Sequence, residues 1–314
     1  MGLSLKKLQT WFRVTANAWE HARTMRAQQP HCRCDKRHEL AVCAIFKDEA
    51  AYLREWVEFH HLVGVDKFYL YNNNSTDNFA EVLQPYVASG LVDICDWRLH
   101  PGQMPSYNHC LQTHRNCARW MTFIDIDEFL FPAKEDRLTD VLPDFQEYPG
   151  VAVSWVMYAS SGHILKPDGL VIENFVKCQH EGNKHIKLIV DPQRTREILS
   201  AHHASYRDGA LTVNELKRPV EGMFSTPPSI TRLRINHYWT KSVEEFFLSK
   251  VARGETNNNP YLRGVEGCLV AERLYNTGED YLIQRYLPRL RARLAGGADA
   301  PARETVSAGD KGYA

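Results

Sequence analysis

Two carboxylates spaced two residues apart, Asp125 and Asp127, end the apolar run Phe123-Ile124, and Glu128 follows them directly. At the end of a strand or in a tight turn, side chains at this spacing can share one divalent cation, directly or through water. Mg²⁺ and Mn²⁺ prefer oxygen ligands and usually keep coordination positions open for substrate phosphates. The pattern therefore predicts Asp125 and Asp127 as metal ligands. An ordinary Asp-x-Asp pair in a surface loop is the alternative, and the spacing alone does not exclude it.

Length and charge limit the classes to which the chain can belong. Its 314 residues are enough for one large or two ordinary domains. Lys and Arg together number 38 and so do Asp and Glu, so no overall positive charge indicates a nucleic-acid partner. No apolar run approaches the ~18–20 residues that cross a bilayer. We expect a cytoplasmic protein, with its eight cysteines as buried free thiols.

The two ends of the chain differ in composition from its middle. Residues 1–38 carry eight basic side chains against two acidic ones and form a basic amphipathic segment. Such a segment can lie on the inner face of an anionic membrane, although packing on its own domain or on a partner is the alternative. Residues 296–314 contain too few apolar side chains to fold and are predicted to be disordered.

Between these ends, strand and helix patterns alternate. Residues 40–46 are a continuous apolar run, typical of a strand buried on both faces, and Asp48 can cap the helix that follows. Later elements are predicted as a strand at 67–71, a helix at 79–88, a strand at 91–96, a helix near 106–119 and a strand ending at Asp125. This alternation predicts an α/β fold with a mostly parallel central sheet flanked by helices.

Polar segments follow the predicted strands. They are Lys47-Asp48-Glu49, the Asn-rich loop (residues 72–78) and the Asp125–Asp127 pair. Ligands of such sheets bind beyond the carboxyl ends of the strands, so these segments should gather at one edge. This convergence strengthens the prediction of a metal site. Further strands are predicted at 151–158, 185–190, 198–203 and 233–238, with a helix from 242 to 251.

Six motifs occur in the order found in one family. They are Phe46-Lys47-Asp48-Glu49, Glu55-Trp56-Val57-Glu58-Phe59-His60, Tyr71-Asn72-Asn73-Asn74-Ser75-Thr76-Asp77, Ile124-Asp125-Ile126-Asp127-Glu128-Phe129, Ser160-Ser161-Gly162-His163 and Asn236-His237-Tyr238-Trp239-Thr240-Lys241-Ser242. Over residues 40–255 the chain resembles glycosyltransferase family 92 and its bacterial, family 2-like relatives, which have a GT-A fold. Asn72 stands where that family often carries Asp.

The resemblance implies a metal-dependent enzyme that transfers a hexose from a nucleotide diphosphate sugar, a UDP-sugar, to a glycan or glycolipid acceptor with inversion. It implies Mn²⁺ or Mg²⁺ as cofactor, held by Asp125, by Asp127 as the more direct ligand and by His237. The expected catalytic domain spans residues 39–290, with a nucleotide-binding half at 39–130 and an acceptor half at 150–255. The residues expected to contact the nucleotide are Ala44, Phe46, Asn72, Asp77 and Asp125.

Acceptor residues are predicted from side-chain chemistry, because aromatic faces and small hydroxyls suit sugar rings. The candidates are Trp155, Tyr158, Ser161 and His163, although Trp155 could equally belong to the core. An inverting enzyme also needs a carboxylate as general base. Nothing in the spacing selects one among Glu173, Glu181, Asp191 and Asp208.

Two other functions fit part of the pattern. A sugar-phosphate nucleotidyltransferase shares the architecture but needs a glycine-rich phosphate loop after its first strand, where this chain has Lys47-Asp48-Glu49. A catalytically silent sugar- or nucleotide-binding module is the non-enzymatic alternative. The presence of both Asp125 and Asp127 argues against it.

Overall fold

A computed structural model describes residues 38–251 and 264–296. Its strands are β1 His38–Phe46, β2 Lys67–Asn72, β3 Val92–Asp96, β4 Ala118–Phe123, β5 Glu128–Pro132, β6 Gly150–Tyr158, β7 Lys177–Cys178, β8 Asn183–Val190, β9 Thr195–Ser200, β10 His203–Tyr206, β11 Thr212–Asn214, β12 Pro219–Val220, β13 Leu233–Tyr238 and β14 Gly278–Glu279. Its α-helices are α1 Ala50–Leu62, α2 Phe79–Ala88, α3 Gln103–His114, α4 Leu138–Val141, α5 Val171–Asn174, α6 Val243–Glu245, α7 Val265–Tyr275 and α8 Leu287–Leu294. Short 3₁₀ turns span Leu142–Phe145 and Leu282–Tyr286, and a π-helix spans Phe246–Val251. Apart from His38 and Gly296, the predicted N-terminal segment and C-terminal tail lie outside the described residues.

The first half of the sheet is parallel. Strands β4, β1, β2 and β3 lie side by side in that order, and each neighbouring pair runs in the same direction. Helix α1 covers this region with Trp56 and Phe59, both fully buried. Burying a large apolar side chain of this kind contributes about 1.5–3 kcal/mol. The predicted α/β fold with helices flanking the sheet is confirmed.

The second half of the sheet brings a distant strand to the end of β4. Strand β8 joins β4 and β6 antiparallel, and β13 lies parallel to β6 and antiparallel to β5. The β13–β5 register pairs His237 with Glu128, although more than a hundred residues separate them. The 12-stranded sheet thus places His237 beside the carboxylates of the β4–β5 turn.

Three local predictions were wrong. The helix expected near 106–119 is α3, which ends at His114 because β4 already begins at Ala118. The strand expected at 198–203 is split between β9 and β10, which form a separate hairpin. Asp48 does not cap α1. Instead, the carboxylate of Asp77 accepts from Ala50 N at 2.7 Å.

Two further features are the state of the cysteines and the lengths of the helices. Cys43, Cys110, Cys178 and Cys268 are buried free thiols, as expected, whereas Cys95 is a free thiol that is only half-buried. Cys117 is disulfide-bonded, so the free-thiol prediction is wrong at this position. Within residues 38–251 and 264–296, no helix is both long and apolar enough to cross a membrane.

Candidate active site

The turn between β4 and β5 is stabilised by hydrogen bonds between Asp125 and Glu128. Asp125 N donates to Glu128 Oε2 at 3.0 Å, and Glu128 N donates to Asp125 O at 3.1 Å. Strand β13 is attached to the same turn, because Tyr238 N donates to Asp127 O at 2.8 Å. These bonds hold Asp125, Asp127, Glu128 and His237 together, and we call these four residues the carboxylate edge.

The Asp125 carboxylate accepts hydrogen bonds from side chains of two elements. Its Oδ2 accepts from Lys187 Nζ of β8 at 2.8 Å. Its Oδ1 accepts from Gln103 Nε2 at 2.9 Å and from Tyr107 OH at 3.1 Å, both on α3. Burial alone would raise the pKa of Asp125, but the charge of Lys187 outweighs it and holds the pKa below its ordinary value. Asp125 is therefore an anion with both oxygens already engaged.

Asp127 faces a different pair of groups. Its Oδ2 accepts from Lys250 Nζ of the π-helix at 2.7 Å and lies 3.5 Å from His237 Nε2. Burial raises the pKa of Asp127, yet Lys250 and His237 together keep that pKa well below its ordinary value. The π-helix itself is a geometry that occurs frequently at functional sites. Asp127 is thus a carboxylate anion that already pairs with the Lys250 ammonium.

Glu128 and His237 carry buried atoms without partners. Glu128 is fully buried, and its Oε2 lies 3.3 Å from Lys187 Nζ. Its Oε1 lies 3.9 Å from His237 Nδ1, and neither atom has a hydrogen-bond partner within the described part of the chain. Burial lowers the pKa of His237, which favours the neutral imidazole that binds metals.

These atoms fit a divalent cation. Two neighbouring ligands of an octahedral Mg²⁺ lie about 3 Å apart, and Asp127 Oδ2 and His237 Nε2 lie 3.5 Å apart. A metal-bound histidine commonly directs its other nitrogen at a carboxylate, which here is Glu128. Asp127 and His237 converge on one position, while the carboxylate of Asp125 is turned toward Lys187 and α3.

Trp155 of β6 lies against His237. Its ring centroid is 4.4 Å from that of His237, 5.2 Å from that of His185 and 5.0 Å from that of His202. The indole Nε1 is buried and has no partner among the described residues. Trp155 is therefore half-buried among three imidazole rings and carries a donor without a partner next to the carboxylate edge.

The two neighbouring imidazoles have a defined tautomer. His202 Nδ1 lies 2.7 Å from the carbonyl oxygen of Ile186, and His185 Nδ1 lies 2.7 Å from Asn183 Oδ1. Both oxygens are acceptors, so Nδ1 carries the proton and Nε2 the lone pair in each neutral ring. Burial lowers the pKa of His202 to about 4 and also lowers that of His185. Both rings are neutral at pH 7.

The Asn-rich loop is bonded mainly to its neighbours. Asn72 Nδ2 donates to Asp96 Oδ1 at 2.9 Å, and Asn72 Oδ1 accepts from Ser75 N at 2.9 Å. Asp77 binds Ala50 N, and Asp48 accepts from Thr76 N at 2.7 Å. Asn72 and Asp77 were predicted to contact the nucleotide. In the structure their side chains stabilise the loop and the start of α1.

The other predicted nucleotide contacts lie deeper. Ala44 is fully buried, and Phe46 is 3% exposed and packs edge-on against Phe79 with ring centroids 5.2 Å apart. Their side chains belong to the core, which leaves backbone groups as their means of contacting a base. That contact stays a prediction.

Three of the four predicted acceptor residues are engaged elsewhere. Tyr158 is fully buried and accepts from Arg234 Nη2 at 3.2 Å. Ser161 Oγ accepts from Val176 N at 2.9 Å, and His163 Nε2 donates to Asn174 O at 3.3 Å. These residues hold the loop after β6 in place, whereas Trp155 reaches the carboxylate edge.

Three of the carboxylates considered as general base form ion pairs with arginines. Asp191 pairs with Arg119 at 2.8 Å. Glu173 pairs with Arg291, and Asp208 pairs with Arg194 at 2.5 Å. Within the described residues, none of these three carboxylates forms a hydrogen bond or ion pair with the carboxylate edge. The general base stays unassigned.

Sequence reasoning missed the cations and donors of the site. Lys187 carried a usable signal, since a lysine inside the apolar run Ile186–Val190 must find a buried partner. Lys250 and His202 gave no such signal, because long-range strand order alone brings them here. The missed residues are Gln103, Tyr107, His185, Lys187, His202 and Lys250.

Comparison with known proteins gives a family match. The model of Glycosyltransferase family 92 matches residues 38–250, more than half of the 314-residue chain. A glycosyltransferase family 92 protein from Oryza sativa subsp. japonica is 30% identical over 185 residues, covering 57% of this chain and 32% of that protein. The Galactan beta-1,4-galactosyltransferase GALS2 of Arabidopsis thaliana is 28% identical over 106 residues, covering 31% of this chain and 20% of that protein. The chain thus spans a third or less of the length of these curated relatives.

Among solved structures, S. aureus TarS 1-349 in complex with UDP is similar over part of its length. It shares 11% sequence identity and a TM-score of 0.34, and the match covers 49% of this chain and 47% of that one. At that score the overlap is too limited to support an inference about function.

Proposed function

The chain belongs to glycosyltransferase family 92, and from that premise we propose that it is an enzyme that transfers a hexose from a UDP-sugar to a glycan or glycolipid acceptor. The observation that carries the proposal is the convergence of Asp127, His237 and Lys250 at the end of β4. Asp127 and His237 could together hold a divalent cation, and the Lys250 ammonium lies beside them. Two positive charges in this position suit a diphosphate.

Asp127 and His237 would hold Mn²⁺ or Mg²⁺, with Glu128 orienting His237 and Asp125 flanking the pair. When bound, such an ion stabilises the negative charge that gathers on a departing diphosphate. Asp127 supplies the charge, and its lowered pKa keeps that charge at neutral pH. The neutral imidazole of His237 supplies a nitrogen lone pair.

Lys250 is the residue proposed to contact the diphosphate. Its ammonium contacts the same Asp127 oxygen that would bind the metal, so metal and ammonium compete for one position. A cation on Asp127 would weaken the attraction between Asp127 and Lys250, and the Lys250 ammonium could then also attract a phosphate oxygen. Lys187 differs, because it is 1% exposed and stays between Asp125 and Glu128.

The acceptor is proposed to lie on Trp155. Its aromatic face suits a sugar ring, and its unused Nε1–H can donate to a hydroxyl. His185 and His202 are neutral, so they suit hydroxyl groups better than an anionic acceptor. The name of the Arabidopsis relative suggests UDP-galactose as the first donor to try and a β-1,4-galacto-oligosaccharide as the first acceptor. The inverting outcome is proposed from the family alone.

The cytoplasm, with peripheral contact on the inner membrane face, is the proposed location. Support comes from the basic composition of residues 1–38.

The proposal is tested by incubating the purified full chain with UDP-galactose, the oligosaccharide and Mn²⁺, and measuring released UDP and extended product. We expect acceptor-dependent product that Asp127→Asn abolishes. UDP-sugar binding without product across a panel of donors and acceptors would favour a silent binding module. Formation of UDP-sugar from UTP and a sugar phosphate would instead identify a nucleotidyltransferase.

A further inference from the structure

A second cluster of metal-binding side chains lies where β7 meets β14. The two strands pair antiparallel, with Gly278 opposite Cys178 and Glu279 opposite Lys177. Asp280 N extends the ladder by donating to Val176 O at 2.8 Å. The family match ends at residue 250, so this contact attaches a later segment to the matched part of the chain.

Three different ligand types meet at this junction. Cys178 ends β7, His180 lies in the turn that follows it, and Asp280 directly follows β14. The Cys178, His180 and Asp280 ligand atoms all lie within 4.8 Å of one another. Cys178 Sγ and His180 Nδ1 are 4.0 Å apart. Within the described residues, no other three-ligand group of this compactness occurs.

Gly278 leaves the space that His180 occupies. A Cβ at this position would lie 2.1 Å from His180 Cδ2 and 2.2 Å from His180 Nε2. The backbone of Gly278 is not in the left-handed region, so its conformation does not require glycine. The absence of a side chain at Gly278 is what allows the imidazole to lie across β14 toward Cys178.

Asp280 is oriented by a buried arginine. Its Oδ2 pairs with Arg234 Nη2 at 2.8 Å, and its Oδ1 accepts from Leu282 N at 2.8 Å. Arg234 is 3% exposed and also donates to Tyr158 OH. Each carboxylate oxygen has a second lone pair, so Asp280 can still bind a cation while Arg234 fixes its direction.

We propose that Cys178, His180 and Asp280 form a binding site for a zinc-class cation that joins β14 to β7. Thiolate, imidazole and carboxylate are zinc ligands at about 2.0–2.3 Å, and water would take the fourth position. Tetrahedral ligands lie about 3.3–3.8 Å apart, so atoms now within 4.8 Å of one another must close in by at most about 1–1.5 Å. The Cys178 thiol loses its proton to solvent on binding. A thiolate site selects against Mn²⁺ and Mg²⁺, so the proposal is independent of the proposed transfer reaction.

The test is a Co²⁺ titration of the reduced full chain after chelator treatment, followed by the near-ultraviolet absorption of a thiolate–Co²⁺ bond and by Zn²⁺ competition. We expect about one equivalent of Co²⁺ to produce the band and Zn²⁺ to remove it. Cys178→Ser should abolish the band, and His180→Ala should weaken Co²⁺ binding at least about tenfold. Cys268→Ser, which removes another buried free thiol, should leave it unchanged, as should Asp127→Asn.

His180 is exposed, so His180→Ala decides the question if the buried Cys178→Ser fails to fold. Zn²⁺ should raise the Tm of the wild type but not that of His180→Ala. Absence of the band in folded wild-type protein would overturn the proposal. So would a band that survives in folded Cys178→Ser or an equal Zn²⁺ effect on the Tm of His180→Ala.

Discussion

The Asn-rich loop and the carboxylate edge are both rich in polar side chains, but they use them differently. In the loop and its partner Asp48, carboxylate and amide oxygens accept from backbone N–H groups. At the carboxylate edge, Glu128 Oε1 and His237 Nδ1 have no hydrogen-bond partner in the described structure, and the Asp127 carboxylate contacts the Lys250 ammonium at 2.7 Å and His237 at 3.5 Å.

This difference distinguishes polar groups that stabilise the fold from polar groups that can bind a ligand. A polar group that backbone donors satisfy fixes the path of the chain and has little left to offer a ligand. The two unpartnered atoms of the carboxylate edge face each other at 3.9 Å, so Glu128 is placed to orient His237 while His237 Nε2 is directed at Asp127. The loop is therefore structural, and the carboxylate edge is where we expect a ligand to bind.

The largest effect is expected when the central buried cation is removed. Lys187→Met leaves the anionic Asp125 without its counter-ion, and breaking a buried ion pair costs up to about 3–5 kcal/mol of unfolding free energy. Urea denaturation measures this. Lys184→Met, on the exposed side of the same strand, is the control and should change stability by less than about 0.5 kcal/mol. Equal stability of both variants would show that the edge is not organised by Lys187.

His237→Gln should separate ligand binding from folding. The amide can fill the space but is a poor metal ligand, so the Mn²⁺ concentration needed for UDP binding should rise about 10–100-fold. Unfolding free energy should stay near the wild-type value. The matched control is His61→Gln, since His61 bonds only to the backbone of its own turn. An unchanged Mn²⁺ requirement would remove His237 from the metal site.

Trp155→Phe tests the acceptor face with the smallest change of shape. It keeps an aromatic ring and removes the Nε1–H, a hydrogen bond worth about 0.5–1.5 kcal/mol. The kcat/KM for the acceptor oligosaccharide should fall about tenfold while the KM for the UDP-sugar is unchanged. A rise in the donor KM instead would place Trp155 on the donor side.

Asp77→Ala gives the smallest effect and sharpens the contrast with the loop. Losing the bond to Ala50 N at the start of α1 should lower the unfolding free energy by about 1 kcal/mol, as removal of a helix N-cap does. UDP affinity should change less than about twofold. A large loss of UDP affinity at unchanged stability would instead support the direct nucleotide contact that the sequence suggested.

The sequence predicted the parts of this molecule that depend on local pattern. Continuous apolar runs identified β1, β2 and β4. The rule that ligands lie at strand ends pointed to Asp127, whose role as a metal ligand stays a prediction. Non-local contacts escaped prediction. Asp77 caps a helix 27 residues earlier in the chain, and Lys187 reaches Asp125 through strand order. The end of α3 was misplaced because local helix signals do not show where β4 must begin.

The most direct test of the account is a calorimetric titration of UDP into the full chain, with and without Mn²⁺, for the wild type and for Asp127→Asn. Asparagine keeps the shape of Asp127 and removes the charge on which the site depends. We predict UDP binding that requires Mn²⁺ in the wild type and is weakened at least about 100-fold in folded Asp127→Asn. UDP binding of equal strength in both proteins, or no binding by folded wild type with Mn²⁺ present, would contradict the account.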